Sequence, residues 1–363
     1  MPSQPPIPHI LSPYLTHSTR SAQSLTLITS VLAATSNWLL LRYLHSVLSA
    51  TALSEEDGYN ETIESGPGRQ KRRRRARRVV LVSFLREWMF WRGEGKRLGL
   101  DLQRFVDGDR FRYVDGLSGL FDRPQQEQGS VRPMTGGVMG SGRSIPMRGA
   151  IDSTRPTTSS IPTSPQSKNP TPQQKQKQLL LSGQGITALN QLENDILAVI
   201  KSITKSDIMS GNEEHAEDDI LLILDQPDLI LATTPDINEN DISEWIMGLQ
   251  QHVHSTVITT SADSPLIHNA NTYTPDAGNI VTPLEKNHSA FVVGLAHRAS
   301  MVLQLRTLDT GAAKDVSGVL RMSRGGGYET QRAEEDEDDV TEKEVLYFVQ
   351  RDGGVRVFGR GEV

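Results

Sequence analysis

The feature that most limits what this chain can become is a series of short β-rich runs without charge, each followed by a stretch of helical periodicity. Ser24 to Ile28, Val79 to Phe84, Ile220 to Leu224 and Thr256 to Thr260 are the runs. Strands this apolar need cover on both faces, which parallel βα units supply and two-stranded hairpins do not. The stretches between them carry the cover. Leu39, Leu40, Tyr43, Leu44, Val47 and Leu48 share one helical face; Leu85, Trp88 and Met89 are expected to point inward after the second run. Leu189, Leu192, Ile196, Val199, Ile200 and Ile203 form a third such face, and Ile242, Trp245, Ile246, Leu249 and Val253 a fourth. With a further short strand at Phe111 to Val114, the alternation predicts an α/β fold: a mainly parallel central sheet flanked by helices. From Ala290 the pattern changes. A helix-like stretch to Ser300 gives way to β-rich runs at Met301 to Thr307, Ser317 to Met322 and Val345 to Phe358. The last folds on Asp352-Gly353-Gly354 as a hairpin, giving a C-terminal antiparallel edge.

Composition decides how many domains the 363 residues make. Hydrophobic residues are 36% of the chain and mean hydropathy is −0.40, low for a compact protein of this length. The deficit is local. Residues 122–178 are nearly all Pro, Ser, Thr, Gln, Gly, Arg or Lys, a composition that cannot offset its ordering entropy. The expectation is therefore a flexible tail at 1–10 and one domain over 11–363, interrupted by disordered inserts at about 54–78, 122–178, 205–218 and 324–342. The absence of cysteine excludes disulfides, thiolate nucleophiles and cysteine-ligated metal centres, and agrees with a reducing compartment. The first residues lack the basic start and apolar run of a signal peptide. The longest apolar stretch, Leu25 to Leu53, is broken by Thr, Ser and Asn residues, Arg42 and His45, all costly in lipid. A cytoplasmic protein without a membrane segment is expected.

The net charge of −6 conceals two opposed blocks. Glu334 to Asp339 is wholly acidic and reads as solvated loop. The basic run comprises Lys71, Arg72, Arg73, Arg74, Arg75, Arg77 and Arg78, interrupted at Ala76. Its density suits nuclear import, hence a second location in the nucleus, or sequence-independent contact with nucleic-acid phosphates. Its place beside low-complexity sequence suits a plain solvated insert equally well.

A strand, a short loop and a helix at the start of such a sheet are where a phosphate-binding loop would lie. That motif, Gly-x-x-x-x-Gly-Lys-Ser/Thr, uses glycines to let backbone amides approach phosphate, lysine for charge and a hydroxyl for magnesium. Here the eight positions run from Ser30 to Asn37. Ser30 and Thr35 replace the glycines, Ser36 the lysine and Asn37 the hydroxyl residue. The loop is degenerate and is not expected to hold ATP; Ser36 or Asn37 serves as a helix cap. Asp225, closing the run Ile220 to Leu224, has the form of a Walker B carboxylate, or simply of a strand-end residue opening the turn into Pro227. No histidine spacing suits zinc, no Gly-x-Ser-x-Gly elbow occurs, and neither a metal nor a cofactor is expected.

Two strings add kinship to this reading. Val79 to Trp91 reads Val-Val-Leu-Val-Ser-Phe-Leu-Arg-Glu-Trp-Met-Phe-Trp, followed by Gly99-Leu-Asp-Leu102 and by Phe111-Arg-Tyr-Val-Asp-Gly-Leu-Ser-Gly-Leu-Phe121. His288 to Arg298 reads His-Ser-Ala-Phe-Val-Val-Gly-Leu-Ala-His-Arg. With Ser24 to Leu41, these resemble the Elongator complex protein 6 family over the folded segments and not over the inserts. The resemblance implies a RecA-like fold without working ATPase motifs. It implies a noncatalytic place in a six-membered ring with Elongator complex proteins 4 and 5, which binds tRNA and docks on the catalytic Elongator subunits that modify the wobble uridine. In such a ring Trp88 and Trp91 belong either to a subunit interface or to the core. Two other readings stand beside it. An ATPase with an atypical loop would depend on Asp225, and a free-standing nucleic-acid-binding protein would act through Lys71 to Arg78.

Overall fold

The computed structural model describes residues 7–20, 22–49, 77–121, 177–181, 185–208, 220–267, 282–311, 313–328 and 341–359. All belong to one unit built from Met1–Arg123 and Lys175–Val363. Its strands are β1 (Ser24–Ser30), β2 (Arg78–Ser83), β3 (Phe111–Asp115), β4 (Lys177–Gln178), β5 (Ile220–Asp225), β6 (Ser255–Ser261), β7 (Met301–Arg306), β8 (Gly318–Arg324), β9 (Lys343–Val349) and β10 (Val355–Phe358). They form one ten-stranded sheet in the order β10-β9-β8-β7-β1-β6-β5-β2-β3-β4. Strands from β7 through β4 run parallel; β8, β9 and β10 add antiparallel beyond β7. β1 sits between β6 and β7, with Thr26 opposite Val257 on one side and Met301 on the other.

Strand periodicity sorts the core into two layers. Val79 and Leu81 of β2, with Leu221 and Ile223 of β5, face one layer; Val80, Val82, Leu222 and Leu224 face the other. The first layer is covered by α1 (Ser12–Arg20), α2 (Asn37–Ser49), α3 (Trp88–Arg97) and α4 (Leu102–Asp107). A four-residue helix, α5 (Ser118–Phe121), follows β3. The second layer is covered by α6 (Ile186–Ile208), α7 (Leu229–Thr233), α8 (Glu239–Gln250) and α10 (Pro283–Arg298), with the short α9 (Ser264–Ile267) packed on α10. Helix starts are fixed by side chains. Thr282 and Glu285 form a capping box ahead of Pro283, Asn238 and Asp241 form another, and Asp101 caps Gln103 N.

Three local expectations change. Met89 is 64% exposed while Trp88 and Trp91 are buried, because the helix begins only at Trp88 and its inward face is Trp88, Trp91 and Gly95. Both tryptophans are thus core residues, not interface residues; Trp88 lies 6.1 Å from Phe111 and 5.6 Å from Tyr113 between ring centres. Ile7 and Ile10, within the expected tail, pack on the first layer, and Leu11, Tyr14 and Leu15 are buried in it. The helix holding Leu189 and Ile203 continues to Ile208, past the expected insert edge at 205. Most of the expected inserts lie outside the described residues.

Two glycines mark close approaches. A Cβ at Gly318 would come within 2.7 Å of the Arg306 carbonyl oxygen and 2.6 Å of the Tyr347 hydroxyl. Gly353, at φ 87°, makes the turn of the β9–β10 hairpin, where Gln350 N donates to Gly354 O at 2.8 Å.

Candidate functional site

Because β1, β2, β5 and β6 are parallel, the loops that follow them emerge at one end of the sheet, where α/β folds place their sites. The degenerate phosphate loop lies there. β1 ends at Ser30 and α2 starts at Asn37, with Ser36 O accepting from Leu39 N and Leu40 N. The turn closes on itself through Ala34 N to Val31 O at 2.8 Å. Leu32 at its tip is exposed, and its amide donates to Asp263 Oδ1 at 3.1 Å. Below the loop is a crevice of about 290 Å³ lined by Ser30, Thr35, Ser36 and Asn37 together with Arg86, Asp228, Asp263 and His288.

The crevice carries its own anions. Asp228 is 4% exposed; its Oδ2 accepts from Ser261 N at 3.2 Å and lies 3.1 Å from His288 Nε2, while Oδ1 has no partner among the described residues. His288 Nδ1 faces Leu266 O at 3.3 Å, so each ring nitrogen meets an acceptor. Asp263 Oδ2 accepts from Ser261 Oγ at 2.9 Å. The loop amide of Leu32 and the strand-end amide of Ser261 are thus bonded to carboxylates of the chain itself. The wall offers a polyphosphate one arginine and no lysine, and its two acids are already bonded within the chain.

Asp225 lies deeper and does not line the crevice. It is fully buried, with Oδ2 accepting from Ser83 Oγ at 2.7 Å and Oδ1 from Thr259 Oγ1 at 2.8 Å. Those hydroxyls are themselves fixed as donors, since Ser83 Oγ accepts from Arg86 N and Thr259 Oγ1 from Gln226 N, both at 3.0 Å. Burial raises the Asp225 carboxyl above its usual range, against the opposing pull of the Ser83 and Thr259 hydrogen bonds and of Arg86. Its side chain therefore bridges β2, β5 and β6 rather than opening the turn into Pro227. That turn is made by Gln226, held at φ 58° with its amide on Thr259 O at 3.1 Å, a left-handed conformation unusual for a residue with a side chain.

The structure thus gathers Ser30, Thr35, Ser36 and Asn37 at one crevice, places Asp225 behind it, and adds Asp228, Asp263 and His288. A signal for the last three was faint. His288 is 60 residues from Asp228, and only α10 crossing the end of α7 joins them. The basic run is elsewhere. Lys71, Arg72, Arg73, Arg74 and Arg75 lie outside the described residues; Arg77 and Arg78 are half-buried at the amino end of β2, the opposite end of the sheet. Among the described residues no group of three or more His, Cys, Asp or Glu is placed to hold a metal ion, and no helix is long and apolar enough to cross a membrane.

The parallel order β7-β1-β6-β5-β2, with the loop after β1 at its carboxyl end and an antiparallel extension beyond β7, is a RecA-like α/β fold. No protein-family model matches the chain, and no curated protein does. Among solved structures it is similar to a KaiC-like protein from the hyperthermophilic archaeon Pyrococcus horikoshii, at 12% identity and a TM-score of 0.40, over 93% of this chain and 90% of that one.

Proposed function

We propose that this chain is a noncatalytic subunit of the Elongator accessory ring, assembled with Elongator complex proteins 4 and 5 and supporting tRNA binding and wobble-uridine modification by the catalytic Elongator subunits. The observation that carries the noncatalytic part is the state of the phosphate-loop end. The loop from Ser30 to Asn37 has no lysine and no glycine, Asp228 and Asp263 line the crevice below it, and Asp225 is committed to Ser83 and Thr259. A polyphosphate would find neither the lysine nor the glycine amides of a cradle there. The ring and its partners rest on the sequence strings at Val79 to Phe121 and His288 to Arg298. The cytoplasm, with the nucleus as a second location, is the compartment this role implies.

Affinity purification of the tagged protein from its own cells tests the assembly. Recovery with two RecA-like proteins of similar size is the expected outcome; recovery alone overturns the proposal. The isolated chain should neither bind nor hydrolyse ATP, and turnover that Asp225→Asn abolishes would establish the atypical ATPase instead. The run Lys71 to Arg78, whose last residue begins β2, is the stretch we assign to tRNA contact. Deleting the run should then reduce the salt dependence of tRNA binding by the assembled ring.

A further inference from the structure

A second cavity, of about 380 Å³, lies on the other side of the phosphate loop, between α2, α3 and the β9–β10 hairpin. Its wall holds an anomaly. Arg42, on the buried face of α2, is 1% exposed, and its Nη2 donates to Gly353 O at 2.8 Å. Its Nε and Nη1 have no hydrogen-bond partner among the described residues. Burial pulls the guanidinium down to about 10, with no carboxylate to offset it. His45, one turn along α2, is lowered by burial and then by Arg42; an imidazole, neutral or positive, offers a guanidinium no counter-charge in either state. An enclosed guanidinium with one carbonyl for company is a costly arrangement, and such groups in folded proteins are ordinarily completed by an ion, a ligand or water.

We infer that this cavity is a binding site for a small monocarboxylate with an apolar or aromatic body, whose carboxylate completes Arg42. The walls define the rest of the ligand. Trp38, Phe90 and Tyr347 present aromatic surface, and the Asn37 amide stands at the end next to the loop. Trp38 and Tyr347 pack against each other at 4.8 Å between ring centres. Glu94 also lines the cavity, with Oε1 bonded to Arg97 Nη1 at 2.8 Å. With Glu94 on the same cavity wall, a single negative charge meets less repulsion than the double charge of a phosphate. Apolar walls with a single placed charge are the ordinary construction of a small-molecule site, and a carboxylate matches guanidinium geometry. Full engagement of Nε and Nη1 requires a rotation of the Arg42 side chain toward the cavity, since both atoms are shielded without ligand.

The test is thermal unfolding and calorimetric titration of the full chain with benzoate, phenylacetate and 3-(indol-3-yl)propionate, set against their amides and inorganic phosphate. At least one carboxylate should raise the melting temperature in proportion to the logarithm of its concentration, with its amide and phosphate inert. Arg42→Met should weaken carboxylate binding at least tenfold while leaving the ligand-free protein as stable as before or more so. Glu94→Gln, on the half-exposed side of the cavity, should tighten binding severalfold, and it decides the matter if Arg42→Met does not fold. Absence of binding by all three carboxylates, equal binding of the amides, or affinity unchanged in either variant overturns the site.

Discussion

Thr259→Val isolates the hydrogen bond on which the state of Asp225 depends. The substitution keeps the branched shape in the centre of β6 and removes only Oγ1, which donates to Asp225 Oδ1 at 2.8 Å. Gln226 N loses one acceptor but keeps Thr259 O at 3.1 Å, so no backbone amide is stranded. What is lost is one of two hydrogen bonds to a buried acid, and a bond to a charged group is worth about 1.5–3 kcal/mol. A loss of about 2 kcal/mol lowers the urea midpoint by about 1 M at a slope near 2 kcal/mol/M. The four tryptophans, Trp38, Trp88, Trp91 and Trp245, are all buried and report the transition by fluorescence. The pH dependence supplies the sharper check. Burial already raises the folded carboxyl above its usual range, and removing the Thr259 hydroxyl raises it further. Between those two values the folded variant holds a proton that the folded wild type lacks. The deficit should therefore be full at the alkaline end of the range, where the carboxyl is ionised in both proteins, and shrink as pH falls. A deficit below about 0.5 kcal/mol at every pH, or one that grows on acidification, would refute a carboxylate held by these hydroxyls.

Thr282→Ala removes the cap that accepts from Glu285 N at 3.2 Å and should cost about 1 kcal/mol in denaturant unfolding. Gly318→Ala drives a Cβ into the Arg306 carbonyl and the Tyr347 hydroxyl, and should destabilise by about 1–3 kcal/mol, the first atom being backbone that cannot yield. Trp91→Ala should cost about 3–5 kcal/mol, whereas Met89→Glu, two residues away on the solvent face, should stay within about 0.5 kcal/mol; equal effects would mean that the helix phase is wrong.

The strands were readable because burial on both faces leaves a run of apolar and β-branched residues that nothing else explains, as at β2 and β5. Their order was not. Nothing in the spacing of Ser24 to Ile28 says that it will lie between β6 and β7, since that choice is made by layers of helices meeting across the sheet. The first helix was not legible because, among the residues whose burial is described, only Leu11, Tyr14 and Leu15 of its neighbourhood are buried, too few to set a period. The inward face after β2 was misphased because Leu85 stands before the helix start: counting four from it puts Met89 inward, whereas counting three from Trp88, where the helix begins, puts Trp91 there. At the site, the loop and Asp225 were legible as departures from a known spacing, and Asp228 with His288 was not, being a contact across 60 residues. Arg42 shows a different limit. In the sequence it counts only as a residue costly in lipid, and its buried, half-partnered state arises when the β9–β10 hairpin closes over α2.

The position of β1 also sets a timetable. Its two neighbours begin at Ser255 and Met301, and Ser300 Oγ reaches back 275 residues to Leu25 O. At about 5–20 residues per second a ribosome takes roughly 15–55 s to supply that far partner. Until β6 is made the first strand, buried on both faces in the fold, has neither neighbour to pair with, and until β7 it has only one. Such long-range pairing makes for slow folding and an interval of exposure to aggregation. The chain should accordingly depend on chaperones while nascent, and a truncation ending before Met301 should be insoluble even though it contains most of the parallel strands.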